Sequence, residues 1–550
     1  MPAGAERIDW TFSVSDEKKL NQDGLKFTQK IVPSVPVTVQ QATLAQVNGS
    51  YSLPVALPRD ALPGRGAVSV TLANSLVGSL EGVKRYAIEY PHACLEQQVS
   101  VAVVLDERAR WERITRQLGQ YLDGRGFAKY WPQMREGSLA LTAYLVVMAH
   151  ETRTLQGPAL QRMEAALAGY MEGRSPETGD WSPRPDAEVR KLLVLNALSY
   201  TGQFRADWLR GMTIDPNALP TASLLDWLGI LTRQTRIAEQ PRLLAEARRL
   251  VRARMDLHGT TLNFSTERDD NWWWLMSSPD SNALRALRLG VDTREWDDSL
   301  PRMARGAILR QRKGAWSTTV ANAWGALAVR AFAGRFERVP VAGTSTASLA
   351  EQSRSLPWPA GSAPAEQTVQ LPWPAAYATA PLKVSHQGQG QPWVTVQSRA
   401  AVPLKAPFWS GFRIKKTVEV LQRRQPGMLS KGDVLRVRLE LEAQSDMTWV
   451  AVNDPVPGGA TILSRGLARD SQLATRGEER RGWVWPSHEE NGFEAFRAYY
   501  QYVPKGKWQV DYTLRLNNEG EFLLPQTRVE AMYAPEMFGE LPNARVVVKP

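Results

Sequence analysis

The sequence predicts a multidomain protein in which α-helical hairpins are inserted into a β-domain and followed by a β-sandwich. The chain has 550 residues, well beyond the roughly 250–300 residues at which one hydrophobic core stops growing. Apolar residues recur with the period of an α-helix from about 73 to 338. Strand-like patterns lie on both sides of this helical block, so we expect both α and β domains.

Residues 1–72 are expected to form the first part of the interrupted β-domain. The segments Val35–Val39 and Val68–Leu72 are rich in β-branched residues, which favour strands. Proline and glycine separate these segments and predict turns.

Residues 73–338 are expected to form roughly ten to twelve helices. Leu141, Tyr144, Leu145 and Met148 fall at positions i, i+3, i+4 and i+7, and the segments 189–198 and 243–251 show a similar period. Turns rich in glycine and tryptophan, at 126–131, 179–181 and 314–319, each precede a predicted helix. This weak repetition indicates a closed ring of helical hairpins.

Residues 339–410 are expected to contain a linker and the second part of the β-domain. The stretch from 340 to about 370 is rich in Ser, Ala, Pro and Gln, a composition typical of linkers.

In residues 411–550, Leu435, Val437, Leu439 and Leu441 alternate with charged residues, which predicts a half-buried strand. The segment Asn517–Gly520 predicts a hairpin turn, and this part should be a β-sandwich.

Composition and charge exclude several classes of function. The net charge is +11, and the basic residues do not gather into a stripe or tail, which argues against nucleic-acid binding. No apolar run approaches the roughly 18 residues of a transmembrane helix, and no signal-like apolar region follows Met1. We therefore expect either a cytosolic protein or a piece of a longer exported one. The single cysteine excludes an intramolecular disulfide.

That cysteine, Cys94, lies in the most informative segment, Tyr90–Gln98. Pro91 favours an extended conformation before it, and apolar residues resume at Val99, so a helix should begin near Leu95 or Glu96. Cys94 would then precede the first turn, where free N–H groups favour the thiolate. Gln97 follows three residues later on the same face.

This spacing permits an internal thioester between Cys94 and Gln97. The sulfur can attack the side-chain carbonyl of Gln97 and expel ammonia, closing a ring of about 15 atoms with ordinary bond lengths. The product is an activated acyl group that an amine or hydroxyl opens. Water would hydrolyse it, so an apolar or aromatic shield is required. The reaction needs no cofactor and no metal.

Other interpretations of the same residues were weighed. Cys94 alone would ordinarily be an inert buried thiol, and His92 could pair with it as the dyad of a thiol hydrolase. The Trp272–Trp274 run could line a pocket, making the helical block an enzyme that acts on a polymer or terpenoid, with Cys94 incidental; packing is the commoner role. The pairs Asp269–Asp270 and Asp297–Asp298 could bind a metal, but no third carboxylate supports them.

The segment Tyr90-Pro91-His92-Ala93-Cys94-Leu95-Glu96-Gln97 resembles the thioester motif of the α2-macroglobulins and complement components, in the setting found in the bacterial α2-macroglobulins. Further similar stretches extend the resemblance over nearly the whole chain; they are 315–324, 496–500, 520–525 and 530–535. The resemblance implies an α/α toroid inserted into a CUB-like β-domain and followed by a macroglobulin-like β-sandwich. It also implies that Tyr90, Met532 and Tyr533 shield the thioester.

The resemblance implies a broad-spectrum protease inhibitor of bacterial defence rather than an enzyme. Attacking proteases would cut a bait region and then be bound covalently. We find no bait region and no N-terminal array of macroglobulin domains within these 550 residues, so the chain resembles the C-terminal portion alone. Relatives that acylate hydroxyls use a downstream histidine; His150, His258, His386 and His488 match no such motif, so lysine amines are the expected targets. The family implies a periplasmic location, with cell-envelope proteins as further partners of a longer parent.

Overall fold

The computed structural model describes residues 7–15, 22–30, 33–175, 181–256, 261–267, 272–337, 340–358, 366–374, 379–463, 475 and 477–550. These residues contain eleven α-helices, within the predicted number. The helices are α1 Glu81–Glu89, α2 Leu95–Leu105, α3 Arg108–Gln117, α4 Leu139–Thr152, α5 Pro158–Met171, α6 Ala187–Leu198, α7 Thr221–Arg233, α8 Gln240–Arg254, α9 Pro279–Thr293, α10 Leu300–Ile308 and α11 Thr319–Phe336. Short 3-10 helices cover Leu76–Leu80, Leu118–Tyr121, Ala206–Gly211 and Trp273–Leu275.

Strands flank the helical block on both sides and are numbered in chain order. The first group is β1 Arg7–Ser15, β2 Gln22–Lys30, β3 Val37–Gln46, β4 Ser50–Ala56, β5 Gly66–Ala73, β6 Met255–Asp256, β7 Asn263–Phe264, β8 Ala342–Leu349, β9 Gln352–Trp358, β10 Glu366–Pro372, β11 Thr379–Gln389 and β12 Trp393–Ala401. The second group is β13 Phe408–Ser410, β14 Phe412–Gln422, β15 Leu429–Ser430, β16 Val434–Ala443, β17 Met447–Pro455, β18 Thr461–Leu463, β19 Arg480–Arg481, β20 His488–Asn491, β21 Ala495–Val503, β22 Gly506–Arg515, β23 Gly520–Phe522, β24 Thr527–Ala531, β25 Ala534–Leu541 and β26 Val546–Lys549.

The helices form a closed ring. Helices α2, α4, α6, α7, α9 and α11 each pack on the next, and α11 packs back on α2. Helices α3, α5, α8 and α10 pack on this inner set. In α4 every residue from Leu139 to Ala149 is buried, as a helix with neighbours on all sides requires. The predicted helical segments 139–148, 189–198 and 243–251 are confirmed; Gly179 and Asp180 of the Trp-containing turn lie outside the described residues.

A two-layer β-sandwich holds the two ends of the helical block. One sheet has the order β10-β5-β12-β3 and the other β4-β11-β8-β9. Their inner faces share a core that includes Val70, Val396, Leu349 and Leu382. The chain leaves this sandwich after β5 and returns at β8, so the helical ring is an insertion.

Two expectations about this β-region were wrong. The stretch from 340 to about 370, expected to be a linker, contributes β8, β9 and β10 to the sandwich. Pro357 lies inside β9, and Pro372, just after this stretch, ends β10; the composition alone had indicated a linker. In addition, β1 and β2 pair only with each other among the described strands, so these two strands lie outside the sandwich to which residues 1–72 were assigned.

The C-terminal region is a second β-sandwich. A six-stranded sheet, β13-β25-β24-β17-β21-β20, faces a sheet of order β14-β16-β22-β18, and β15, β26 and β23 form a third, small sheet. The predicted alternation is confirmed in β16, where Leu435, Val437, Leu439 and Leu441 are buried. The turn at 517–520 is not a hairpin, because the strand after it, β23, pairs with β26 and not with β22.

The predicted fold class, helical hairpins inserted into a β-domain and followed by a β-sandwich, is therefore confirmed. Among the described helices, none is long and apolar enough to span a bilayer.

Candidate functional site

Cys94 lies where an extended segment meets the first turn of α2. The dihedral angles of Cys94 are φ −66° and ψ 170°, and α2 starts at the next residue, as the sequence predicts. Because the segment after Pro91 is extended and the helix follows at once, Cys94 and Gln97 are separated by a single turn. Cys94, Glu96 and Gln97 are all 0% exposed, so the pair lies in the interior.

The amide of Gln97 is held in one orientation by two contacts. The backbone N–H of Cys94 donates to Oε1 of Gln97 at 2.9 Å. The side-chain Nε2 of Gln97 lies 3.1 Å from the Sδ of Met532. The first contact polarises the carbonyl that the Cys94 sulfur would attack, in the manner of an oxyanion-hole donor. The second places a side chain of the C-terminal sandwich against the leaving nitrogen.

Burial changes the protonation expected for Cys94. Loss of solvent, followed by the negative charge of Glu96, raises the pKa of the Cys94 thiol well above its usual value. Backbone N–H groups at the start of α2 oppose this rise. The start of the helix thus favours the thiolate, as expected, but desolvation of the buried sulfur outweighs this effect.

The structure brings Met532 and Tyr533 to the thioester segment. They form the two-residue turn between β24 and β25, where Ala531 pairs with Ala534. Both are buried, with 4% and 3% of their surface exposed. The Tyr533 hydroxyl donates to Glu96 at 2.9 Å. The tip of this hairpin thus contacts Gln97 and also Glu96, which lies between Cys94 and Gln97 in the chain.

Tyr90 lies directly after α1 and packs among aromatic rings. Its ring centroid is 5.3 Å from that of Tyr86 and 5.4 Å from that of His92, which it meets edge-on. Burial raises the pKa of the Tyr90 phenol well above its usual value. Tyr90 therefore belongs to the aromatic wall on the N-terminal side of Cys94.

Glu96 is a buried carboxylate at the centre of a hydrogen-bond network that the sequence did not reveal. Its oxygens accept hydrogen bonds from Ser100 at 2.5 Å, from Thr319 at 2.8 and 3.0 Å and from Tyr533 at 2.9 Å. Burial raises the pKa of Glu96, and these donors oppose that rise. The network joins α2 and α11 of the ring to the C-terminal sandwich.

An aromatic cluster also joins the ring to the C-terminal sandwich. The ring of Trp449 lies 3.7 Å from that of Tyr130 and 5.7 Å from that of Trp131, and Tyr499 lies 4.8 Å from Trp131. Trp449 has φ +54°, a conformation that non-glycine residues rarely adopt. Its carbonyl accepts the N–H of Met532 at 2.9 Å. Sequence reasoning missed Trp449 and Tyr499, and the Trp-containing turn at 126–131 was the only signal for their partners.

His92 does not form a dyad with Cys94. Its Nδ1 lies 3.2 Å from the hydroxyl of Tyr499 and its Nε2 3.0 Å from Oε1 of Glu530. Both ring nitrogens are thus engaged by the C-terminal sandwich, which argues against the thiol-hydrolase alternative.

The tryptophans and carboxylates considered for other roles lie elsewhere. Trp272 lines a cavity of about 60 Å³ inside the helical ring, and the carboxylate in its wall, Asp226, is paired with Arg285. Asp297 pairs with Arg335. Asp269 and Asp270 lie outside the described residues, as does His258.

The remaining downstream histidines each have a partner. His150 contacts Glu164, His386 contacts Ser345, and the ring of His488 stacks 5.3 Å from that of Trp131.

Comparison with known proteins agrees with this architecture. Residues 411–536 match the bacterial α2-macroglobulin MG10 domain family. An α2-macroglobulin homologue from Nostoc sp. is 22% identical over 294 residues, which are 51% of this chain and 15% of that protein. The chain thus spans a small part of the length of this curated relative.

Solved structures show the same fold. The native Escherichia coli α2-macroglobulin from domain MG7 to the C-terminus matches 96% of this chain and 84% of its own, with a TM-score of 0.69 and 16% identity. Salmonella α2-macroglobulin reacted with methylamine matches 97% of this chain and 35% of its own, with a TM-score of 0.69 and 18% identity. The resemblance found in the sequence is thereby confirmed: residues 411–536 match the MG10 domain of the bacterial α2-macroglobulins, and 96% of the chain matches the fold of the C-terminal portion of the Escherichia coli protein.

Proposed function

We propose that Cys94 and Gln97 form an internal thioester and that this chain is the reactive portion of a bacterial protease inhibitor. The observation that carries the proposal is the fully buried Cys94–Gln97 pair at the start of α2, with Gln97 fixed between the Cys94 N–H and Met532. A residue pair with this chemistry, kept away from water by a second domain, suits a stored acylating group.

The chemistry uses only these two residues. The Cys94 sulfur adds to the side-chain carbon of Gln97, the C–N bond breaks, and the amide nitrogen leaves as ammonia with the thiol proton. The Cys94 N–H stabilises the negative charge that develops on Oε1. When an amine opens the thioester, a C–N bond forms, the C–S bond breaks, and the sulfur takes up a proton. The acyl group of Gln97 stays on the amine.

The shield would consist of Tyr90, Met532 and Tyr533. Two of these belong to the C-terminal sandwich, so separation of that sandwich from the ring would admit water and nucleophiles. We propose that cleavage of a bait region elsewhere in a longer protein causes this separation. A lysine of the attacking protease would then be acylated once, and the protein would act as an endopeptidase inhibitor rather than an enzyme.

The domain assignment forms part of this proposal. Residues 1–72 and 339–410 would form the CUB-like domain, apart from the separate β1–β2 hairpin and with β8–β10 in place of a linker. Residues 73–338 would form the thioester domain and 411–550 the macroglobulin-like domain. A parent protein of the periplasm, in contact with cell-envelope proteins, suits this interpretation.

Intact mass tests the thioester directly. The native chain should be lighter than its sequence by one ammonia and should resist alkylation at Cys94. Methylamine, which has reacted with the Salmonella relative, should raise the mass and release one thiol. Cys94→Ala and Gln97→Ala should each abolish the methylamine adduct and, in the complete protein, covalent capture of a protease. Freshly prepared protein with full mass, a freely alkylated Cys94 and no protease conjugates would refute the proposal.

The alternative, a ring-shaped enzyme acting on a polymer or terpenoid, has one observation in its favour. A cavity lies inside the helical ring and is lined by Trp272 and Trp324. At about 60 Å³ it accommodates a few water molecules rather than a large substrate. Its carboxylate, Asp226, is engaged by Arg285.

A further inference from the structure

His92 lies in the segment that precedes Cys94, and its side chain is buried. The imidazole is 2% exposed and the Glu530 carboxylate 17%. A buried polar side chain is costly unless each of its polar atoms has a partner. The partners of both ring nitrogens lie in the C-terminal sandwich, on β21 and β24.

The carboxylate partner of His92 is itself held in place. Arg528 binds Glu530 through two nitrogens, at 2.8 and 2.7 Å, and Arg528 also pairs with Glu540 on β25. Burial raises the pKa of Glu530, but the charge of Arg528 and the hydrogen bond from His92 outweigh burial and lower this pKa to about 2. Glu530 is therefore ionised near neutral pH and can only accept hydrogen bonds, so Nε2 of His92 carries a proton.

The His92–Glu530 pair lies close in the chain both to Cys94 and to the tip of hairpin β24–β25. His92 lies two residues before Cys94, and Glu530 lies two residues before Met532. A register shift falls between Glu530 and Ala531, at the base of the hairpin tip. A fixed contact at this point sets the height and angle of the tip.

We propose that the His92–Glu530 pair is a positioning clamp that sets where hairpin β24–β25 lies over the Cys94–Gln97 pair. The significance of the clamp rests on the proposed thioester, but its existence does not. Tyr499 forms a second arm of the clamp from β21. Loss of the clamp allows the hairpin tip to shift, so that Cys94 becomes accessible without any cleavage of the chain.

The accessibility of Cys94 tests the clamp in the Gln97→Ala background, in which no thioester can form. The chain has one cysteine, so iodoacetamide labelling reports on this site alone. His92→Ala should label about tenfold faster or more, since it removes a buried hydrogen bond to a charged group. The double variant His92→Ala/Glu530→Ala should label no faster than the faster single variant, because the two residues act as a unit.

Two conservative variants of His92 distinguish the loss of its hydrogen bond to Glu530 from the loss of side-chain volume. His92→Gln places an amide donor near the position of Nε2 and should label at about the parental rate. His92→Asn is too short to reach Glu530 and should label as fast as His92→Ala. His386→Ala is the matched control: His386 is a buried histidine that contacts Ser345 in the first sandwich, and its loss should leave labelling unchanged.

Two results would overturn the clamp. The first is that His92→Ala labels no faster than His386→Ala. The second is that the rate increase of the double variant equals the product of the increases caused by His92→Ala and by Glu530→Ala alone. If His92→Ala does not fold by circular dichroism, equal labelling of the folded His92→Gln and His92→Asn proteins rejects the clamp. The thioester is judged separately, from the mass and methylamine reaction of the parent chain.

Discussion

The two β-sandwiches contact the helical ring in different ways. The first is joined to the ring by two covalent connections, because the chain leaves it after β5 and returns at β8. Glu337, just after α11, reinforces this junction by accepting the N–H of Leu76 at 2.8 and 2.9 Å and the indole N–H of Trp393 at 3.0 Å. The first sandwich is therefore firmly attached to the ring.

The C-terminal sandwich has one covalent connection, the segment between β12 and β13. Its position over α2 depends on side-chain contacts made by Trp449, Tyr533, Met532 and Glu530. A domain held chiefly by side-chain contacts and one covalent connection separates more readily than a domain that the chain joins twice. Residues that shield a thioester until it is needed would therefore be expected on the C-terminal sandwich.

The largest expected effect comes from Trp449→Ala. Removal of a buried tryptophan costs about 3–5 kcal/mol, here taken mainly from the contact with Tyr130 and Trp131. Thiol release by methylamine should accelerate by about 100-fold or more, since each 1.4 kcal/mol is a factor of ten. Trp358→Ala, a buried tryptophan of the first sandwich, should lower the melting temperature without this acceleration. Equal acceleration by both variants would contradict the difference between the sandwiches.

Acid should loosen the C-terminal sandwich through Glu530. Its pKa of about 2 in the folded protein lies below the ordinary 4.5. A lowered carboxyl pKa stabilises the docked state above about pH 4.5, and this contribution is lost as the pH falls towards 2. Arg528 lies beside Glu530 on the same strand and stays there on undocking, so only the part of the lowering that comes from His92 contributes to docking. Glu96 has a raised pKa and acts in the opposite direction, offsetting part of the loss.

Alkylation of Cys94 in the Gln97→Ala chain should therefore accelerate between pH 4.5 and pH 3, after correction for the intrinsic pH dependence of thiol alkylation. Glu530→Gln should flatten this profile. A profile that stays steep in Glu530→Gln would assign the acid response to another group.

Tyr533→Phe should have an intermediate effect. The change removes one donor from the buried Glu96 but leaves Ser100 and Thr319 in place. The cost should be about 1–2 kcal/mol, seen as a roughly tenfold faster reaction with methylamine. Tyr512→Phe removes a similar hydrogen bond, to Asp454 inside the C-terminal sandwich, and should reduce stability without exposing the thioester. If Tyr512→Phe accelerates the reaction equally, the Tyr533 contact has no special role.

Glu337→Gln should have the smallest effect. The amide oxygen can still accept a hydrogen bond at the junction with the first sandwich, so the loss should be about 1 kcal/mol. Differential scanning calorimetry should show a melting temperature lower by a few degrees, and the methylamine rate should not change. A faster methylamine reaction would show that the first sandwich also controls access to Cys94.

Much of the secondary structure follows from contiguous residues. The alternation in β16 and the apolar period in α4 depend on neighbours within a few positions, so both were predicted. The linker interpretation of 340–370 failed because composition does not report pairing: β8 and β10 are strands only because β11 and β5 lie beside them. The turn at 517–520 failed for the same reason, since its following strand pairs with β26.

The sequence alone determined the candidate thioester pair, because the spacing of Cys94 and Gln97 and the start of α2 after Pro91 are local properties. The tertiary structure decided the surroundings of that pair. Trp449 and the His92–Glu530 contact, whose partners are 438 positions apart, appear only when the C-terminal sandwich docks. Docking also sets the protonation of Cys94, because burial opposes a charge that the helix start by itself would stabilise.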